Sequence, residues 1–502
     1  MPASSLSDVA AIVEATASRA AIAAPVLAAI SPHKRAAALV AVSDALSAAS
    51  EELIAIAVAE TGLSEARLTG ELKRTAVQLR LFADVVVDGS YLEVRLDAAD
   101  PGFALGVRPD LRRTLVPVGP VINFAASNFP FAFSVAGGDT AAALAAGCPV
   151  IVKGHSGHPR LSERTTQIAC SALAAAGMPD GTLQLVQGQE VGVAVLKDPR
   201  VRAGSFTGSL FAGRLLFDIA AARPRPIPFF GELGSVNPAF VTAAALAERA
   251  DEIVDGLMAS VIGSAGQLCT KPGLIFVPAG HAMSAGLSAH AEIVPEHRLL
   301  HRGISKNYLQ RRDTVLAVEN VTVITRGSFR WDDDGHGWVT PTIVSVPLEV
   351  LLARRDDLLE EVFGPFAILV EYPPDAALAE VSRDVFTGNL TGTIHHAADE
   401  DSVPLRELVA ALTELSGRVL FNGWPTGVAV TPAMQHGGPW PATTSEGTSV
   451  GTAAITRFLR GVSFQNAPQH LLPEALTDAN PLAIPRSLSP ADESSHWGER
   501  AR

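Results

Sequence analysis

"VPVGPVINFAASNFPFAFSVAGGDTAAALAAGCPVIVKG", residues 116–154, sets two apolar runs on either side of a small-residue segment with helical spacing. "VPVGPVINFA" reads as a strand, "FSVAGGDTAAALAAG" as a helix, and "CPVIVKG" as a strand apolar on both faces. The rhythm continues through "HPRLSERTTQIACSALAAAG" (helix), "GTLQLVQG" (strand) and, after "SFTGS", "LFAGRLLFDIAAA" (helix). Alternation of this kind builds a parallel sheet with helices on both faces. Ligands of such an α/β fold bind beyond the carboxyl ends of its strands.

Upstream, residues 1–90 read as helices, with apolar residues at three- and four-residue spacing in "EELIAIAVAETGL" and "SEARLTGELKRTAVQLRLFADVVV". The Gly- and Pro-rich "YLEVRLDAADPGFALGVRPDLRRTLVPVGPV" that follows has the alternation of hairpins. Downstream, a second α/β stretch occupies 238–438, with strands in "GLIFVP", "VTVITRG", "FAILVEY" and "RVLFNG". "TAAITRFLRGVSFQNAP" alternates like an edge strand, and a polar, Pro-rich tail is expected on the surface.

At 502 residues the chain exceeds one core. A net charge of −13 disfavours nucleic acid and anionic membranes as partners, so an anionic ligand needs a local cradle of donors. The three cysteines, Cys148, Cys170 and Cys269, are far apart and form no CxxC pair, which supports neither a disulfide framework nor a metal site. The N-terminus has no basic n-region, and the longest uncharged apolar run, "AAALAAGCPVIV", is too short to span a bilayer. A cytoplasmic protein is expected.

Cys148 and Cys170 lie in apolar or alanine-rich runs and read as core. Cys269, in "GSAGQLCTKPG", is set among Gly, Ser, Gln and Thr, as a thiol at the mouth of a cleft would be. A thiol nucleophile needs a base and an oxyanion donor. Glu232 in "FFGELGSVNPAF" looks like an exposed turn carboxylate suited to base work, and Asn128 in "NFAASNFPF" could donate to a developing alkoxide. For a dinucleotide, Gly208 and Ser209 in "SFTGSLFAGR" lie between a strand and a helix, where backbone can approach a pyrophosphate. Lys153, Ser156 and His158 follow a strand in "VIVKGHSGHP". In "EEVFGPF", Glu361 could take ribose hydroxyls and Phe363 could wall a ring. Each of these residues also has a plain structural alternative: a turn, a cap or a packed ring.

Taken in order, Asn128, Lys153, Phe-Thr-Gly-Ser, Gly-Glu-Leu-Gly, Gly-Gln-x-Cys and Glu-Glu-Val-Phe-Gly-Pro resemble the NAD(P)-dependent aldehyde dehydrogenases from about residue 20 to 476. "GQLCTKPGLIFVP", "VKGHSGHP" and "MQHGGPWPATT" are similar to the branch holding 2,5-dioxovalerate (α-ketoglutarate semialdehyde) dehydrogenases and NADP-linked fatty-aldehyde enzymes. The resemblance implies a Rossmann-type cofactor domain, an α/β catalytic domain and a small β oligomerisation element. The implied divisions are 1–104 (N-terminal part of the cofactor domain), 105–117 (oligomerisation hairpin), 118–237 (dinucleotide-binding domain), 238–440 (catalytic domain), 441–476 (return to the cofactor domain with an oligomerisation strand) and 477–502 (surface tail).

It also implies Cys269 as nucleophile, Asn128 with the Cys269 N–H as oxyanion donors, and Glu232 as the base that hydrolyses a thioester. Lys153, Ser156, His158, Gly208, Ser209, Leu233, Glu361 and Phe363 would hold the cofactor, and no metal is implied. Many NAD-selective members carry a glutamate where this chain has Ser156, so NADP is expected to serve at least as well as NAD, with His158 a further donor. The usual Trp before the oxyanion Asn is Ser127. The expected substrate is an aldehyde, foremost 2,5-dioxovalerate, with broad aliphatic or fatty aldehydes as the alternative. For the first, Arg457, His436 or Lys271 could supply charge to the tunnel. A coenzyme A-acylating enzyme, a thiolase-like thiol enzyme and a non-catalytic nucleotide-binding or structural member of the fold are the rival readings. A homodimer or homotetramer is expected.

Overall fold

The computed structural model describes residues 6–499. Four helices open the chain, Leu6–Ala28, Pro32–Ala48, Ser50–Thr61 and Glu65–Asp88. The last has clear local causes. The Ser64 hydroxyl accepts from the Arg67 N–H at 3.3 Å, and Gly89 closes the helix at φ 73°, a conformation that favours glycine. Helix Leu6–Ala28 is long and apolar enough to cross a bilayer by length and composition, yet Ala17, Ala20, Ala23 and Leu27 are buried within the protein.

The stretch at 116–154 divides differently from its sequence reading. Val116 and Pro117 end a strand, Leu111–Pro117, of one sheet, and Val121–Phe124 begins another. The break follows from Pro117, Pro120 and Gly119 at φ 115°. Five parallel strands then run in the order Leu183–Val186, Val150–Lys153, Val121–Phe124, Ala203–Thr207, Phe229–Glu232. The chain builds outward first to one side and then to the other, so the order reverses between Val121–Phe124 and Ala203–Thr207, where such sheets bind ligands. Helix Gly138–Ala146 is buried along its whole length, which its Ala and Gly composition permits.

A seven-stranded sheet follows in the order Thr322–Thr325, Thr342–Pro347, Phe366–Tyr372, Leu274–Pro278, Ala239–Val241, Asn389–His395, Ser416–Phe421. Its pairs are parallel apart from the first. A third sheet orders Leu459–Gln465, Leu111–Pro117, Val94–Asp97 and Arg486–Ser489. One expectation changes here. Residues 452–458 form a 3-10 turn, and only Leu459–Gln465 is a strand. The tail is held to the sheet edge, where Arg486–Ser489 pairs in parallel with Val94–Asp97. Arg108 ties the tail down further by donating to the Pro490 carbonyl at 2.7 Å.

Candidate active site

Cys269 follows a backbone segment of unusual shape. Ser264, Ala265 and Gly266 are consecutively left-handed at φ 52°, 52° and 66°. For the two with side chains this costs about 1–2 kcal/mol each, so neighbours must hold the loop. Arg67 Nε donates to Ser264 Oγ at 3.0 Å, and the Gln267 side-chain carbonyl accepts from the Leu300 N–H at 2.9 Å. A Cβ on Gly266 would lie 2.2 Å from the Gly364 carbonyl, so glycine lets this loop meet the Glu361–Phe363 segment. Beyond the thiol, Asn237 Nδ2 donates to the carbonyls of Cys269 (2.8 Å) and Lys271 (3.1 Å), and Lys271 Nζ donates to the Phe366 carbonyl at 2.8 Å. The nucleophile loop is thereby tied to the seven-stranded sheet.

Glu232 is the last residue of a strand and is buried, which corrects its reading as an exposed turn. The difference arises because the strand's end is roofed by 442–450: the Leu233 N–H donates to the Ala442 carbonyl at 2.8 Å, and the Ser449 hydroxyl donates to the Glu232 carboxylate. His436 Nε2 is 2.9 Å from Glu232 Oε1 and 3.6 Å from Cys269 Sγ. His436 Nδ1 is buried without a partner. The three donor atoms lie within 4.8 Å of one another. Burial pushes the Glu232 carboxyl up, but the His436 ring, the Ser449 hydroxyl and Cys269 together hold it below the usual range. Burial and then the Glu232 charge push the Cys269 thiol well above its ordinary value. The resting site is thus an ionised carboxylate, a bridging imidazole and a protonated thiol.

Asn128 is buried beside this group, its Nδ2 donating to the Gln267 carbonyl at 3.0 Å. Helix Glu65–Asp88 positions it. Glu71 accepts from the N–H groups of Phe131 (2.8 Å) and Ala132 (2.9 Å), while Arg67 pairs with Glu71 and donates to the Asn128 carbonyl at 3.1 Å. Arg67 therefore links the Asn128 loop to the loop that precedes Cys269. The sequence reading missed His436 as a partner of the thiol, and it missed Asn237, Arg67 and Glu71 altogether. Charged residues at 67, 71 and 74, spaced four and three apart on the buried face of a helix, were the available signal.

The dinucleotide candidates gather at the carboxyl ends of the five parallel strands. Lys153 ends its strand and Ser156 is exposed just after it. Gly208 and Ser209 are exposed at the start of helix Leu210–Ala221, where Ser209 Oγ accepts from the Ala212 N–H at 3.4 Å. Leu233 is buried against this helix, since a Cβ on Gly213 would lie 2.0 Å from its methyl. Glu361 faces the same place: a Cβ on Gly234 would fall 2.6 Å from its Oε2. Burial pushes the Glu361 carboxyl up to about 7 against the lowering effect of Lys271. Phe363 is half-buried beside it. A helix amino terminus with an exposed glycine before it, a lysine and a carboxylate fit the phosphates and ribose of a dinucleotide.

His158 does not fit that set. It is fully buried, with Nε2 2.9 Å from the Ala126 carbonyl and Nδ1 3.1 Å from Ser162 Oγ, so no ring nitrogen is left for a cofactor phosphate. Two tunnel charges are also otherwise engaged. Arg457 pairs with Asp139 inside the protein, and Lys271 serves the nucleophile loop.

A profile of the aldehyde dehydrogenase family matches residues 2–438. An alpha-ketoglutaric semialdehyde dehydrogenase of Acinetobacter baylyi is 43% identical over 439 residues, 86% of this chain and 82% of that protein. Alpha-ketoglutaric semialdehyde dehydrogenase 2 of Azospirillum brasilense is 44% identical over 460 residues, 90% and 86% of the two chains. Gamma-glutamyl-gamma-aminobutyraldehyde dehydrogenase of Burkholderia cenocepacia shares the fold, with a TM-score of 0.77 at 22% identity over 91% of this chain and 88% of that one. On the extent of these matches the chain belongs to the aldehyde dehydrogenase family and is an NAD(P)-dependent aldehyde oxidoreductase.

Proposed function

We propose that the chain oxidises 2,5-dioxovalerate to 2-oxoglutarate with NADP as the preferred acceptor, through a covalent intermediate on Cys269. The observation that carries this reading is the convergence of Cys269, His436 and Glu232 within 4.8 Å. The names of the two relatives above 40% identity support the substrate.

The ionised Glu232 carboxylate, within 4.8 Å of the sulfur, takes the thiol proton, while His436 donates its Nε2–H to Glu232 at 2.9 Å and faces the thiolate left behind at 3.6 Å. Cys269 Sγ then bonds to the aldehyde carbon, and the Asn128 amide with the Cys269 N–H holds the oxyanion. The Leu268 carbonyl, in the same peptide group as that N–H, accepts from the Lys271 N–H at 3.0 Å, and Asn237 fixes the Cys269 and Lys271 carbonyls beyond it. Lys153, Ser156, Gly208, Ser209, Leu233, Glu361 and Phe363 would hold the dinucleotide, which when bound would supply the hydride acceptor for oxidation of the thiohemiacetal to a thioester. Glu232, once it has passed the thiol proton to solvent, takes a proton from water, which attacks the thioester, breaks its C–S bond and frees the acid. Its presence favours hydrolysis over transfer to coenzyme A.

Exposed Ser156 adds no negative charge where a 2′-phosphate would sit, which favours NADP. Strand Leu459–Gln465 lies at a sheet edge, and we propose that a second copy covers it in a dimer or tetramer.

The test is nicotinamide reduction with NADP or NAD, with and without coenzyme A, on 2,5-dioxovalerate, succinic semialdehyde and long aliphatic aldehydes. The highest kcat/KM is expected for 2,5-dioxovalerate with NADP, independent of coenzyme A. A preference for uncharged long aldehydes or for NAD, or a requirement for coenzyme A, would contradict the reading.

A further inference from the structure

We infer that Arg74 receives the distal carboxylate of the substrate and thereby sets a preference for aldehydes that carry a carboxylate at the far end of the chain. The inference rests on the chemistry proposed for Cys269 and names the group that would select its substrate.

Arg74 lies on the face of helix Glu65–Asp88 that carries Arg67 and Glu71. Its situation differs from theirs. Glu71 is taken by Arg67 and by two backbone N–H groups, which leaves it with little to offer a second guanidinium. Arg74 Nη1 is buried and has no hydrogen-bond partner among the described residues. The guanidinium instead lies 5.3 Å from the centre of the Phe133 ring, and that ring is 6.4 Å from the ring of His436, the neighbour of Cys269. Two rings, Phe133 and His436, thus stand in line between this cation and the reacting sulfur. Burial lowers the Arg74 guanidinium, and the negative charges that oppose this are that of Glu71 first and then those of Cys269 and Glu232.

Two further buried polar groups nearby in the chain lack partners: the Gln78 amide, one turn along the same helix face, and the Ser134 hydroxyl, next to Phe133. Orphaned polar groups are rare in protein interiors and mark places where a ligand or water completes the set. An unpaired guanidinium fork matches a carboxylate in charge and shape. The other cations offered by the sequence are engaged, Arg457 by Asp139, Lys271 by the Phe366 carbonyl and His436 by Glu232. A five-carbon chain with an aldehyde at one end and a carboxylate at the other would place the first at Cys269 and the second at Arg74.

The test compares kcat/KM for 2,5-dioxovalerate and for pentanal in the wild type, R74Q and R74K, at saturating NADP. Removing one partner of a desolvated charge pair leaves the other unmatched, so the ratio between the two substrates should fall about a hundredfold in R74Q, mainly through KM for 2,5-dioxovalerate. R74K, which keeps the charge and loses the fork, should fall between. Glutarate should slow iodoacetamide alkylation of Cys269 in the wild type and not in R74Q. A ratio within about threefold of wild type in R74Q, with glutarate protection retained, would overturn the role of Arg74 while leaving the proposed reaction standing. A wild type that does not favour 2,5-dioxovalerate over pentanal would overturn the proposed substrate and the anchor together. Should R74Q fail to fold, an unchanged ratio in R74K would overturn the proposal.

Discussion

Replacing His436 by Phe removes the one ring N–H that faces both Glu232, at 2.9 Å, and Cys269, at 3.6 Å, among the described residues, in a side chain that is almost wholly buried. The thiol is held protonated by burial and by the neighbouring carboxylate, so thiolate forms only if that carboxylate takes the proton and the charge left on sulfur finds a donor. A phenyl ring keeps the shape and supplies no donor. A hydrogen bond to a charged group is worth about 1.5–3 kcal/mol, so H436F should lower kcat/KM about thirtyfold. Alkylation of Cys269 by iodoacetamide, followed from pH 6 to 10, should slow near neutrality, with its midpoint moved upward. If H436F alkylates at the wild-type rate with the same midpoint, His436 takes no part in forming the thiolate, and the role proposed for it is wrong.

Three other outcomes follow from the geometry. S156E places a carboxylate beside the expected 2′-phosphate and should lower kcat/KM for NADP about a hundredfold with much less effect on NAD; equal losses would contradict the assignment. Burial raises the Glu361 carboxyl to about 7, so it gains a proton as pH falls through that value and loses acceptor capacity for ribose hydroxyls. KM for NADP should accordingly rise below about pH 7, and E361Q should flatten that rise; a wild-type KM constant from pH 8 to 6 would refute it. R457A leaves Asp139 buried without its partner at the start of helix Gly138–Ala146 and should cost about 3–5 kcal/mol in urea unfolding. A midpoint close to wild type would show the pair to be dispensable.

Much of this architecture was legible along the chain because apolar runs fully buried on both faces leave an unambiguous trace, as in "CPVIVKG" and "FAILVEY". The breaks were less so. "VPVGPVINFA", residues 116–125, reads as one strand, and only the turn at Pro117, Gly119 and Pro120 assigns its halves to different sheets. Cys269, Glu232 and Asn128 were found through resemblance, and they do stand together, but their environments were not readable. Glu232 looked exposed because its flanking glycines suit a turn, whereas its burial comes from residues 442–450, some two hundred positions away. His158 looked available because a strand end is a common ligand site, and only the fold shows both ring nitrogens engaged. His436 and Arg74 escaped for the same reason: what matters about each is the company it keeps across the chain.

The account stands on sulfur bonding to the substrate carbon, and trapping that bond tests it most directly. E232Q, mixed with 2,5-dioxovalerate and NADP and quenched within the first turnovers, should carry the acyl group on the peptide containing Cys269, seen by intact-mass and peptide mass spectrometry. Reduced cofactor formed with Cys269 unmodified, or an adduct on Cys148 or Cys170 instead, would contradict it.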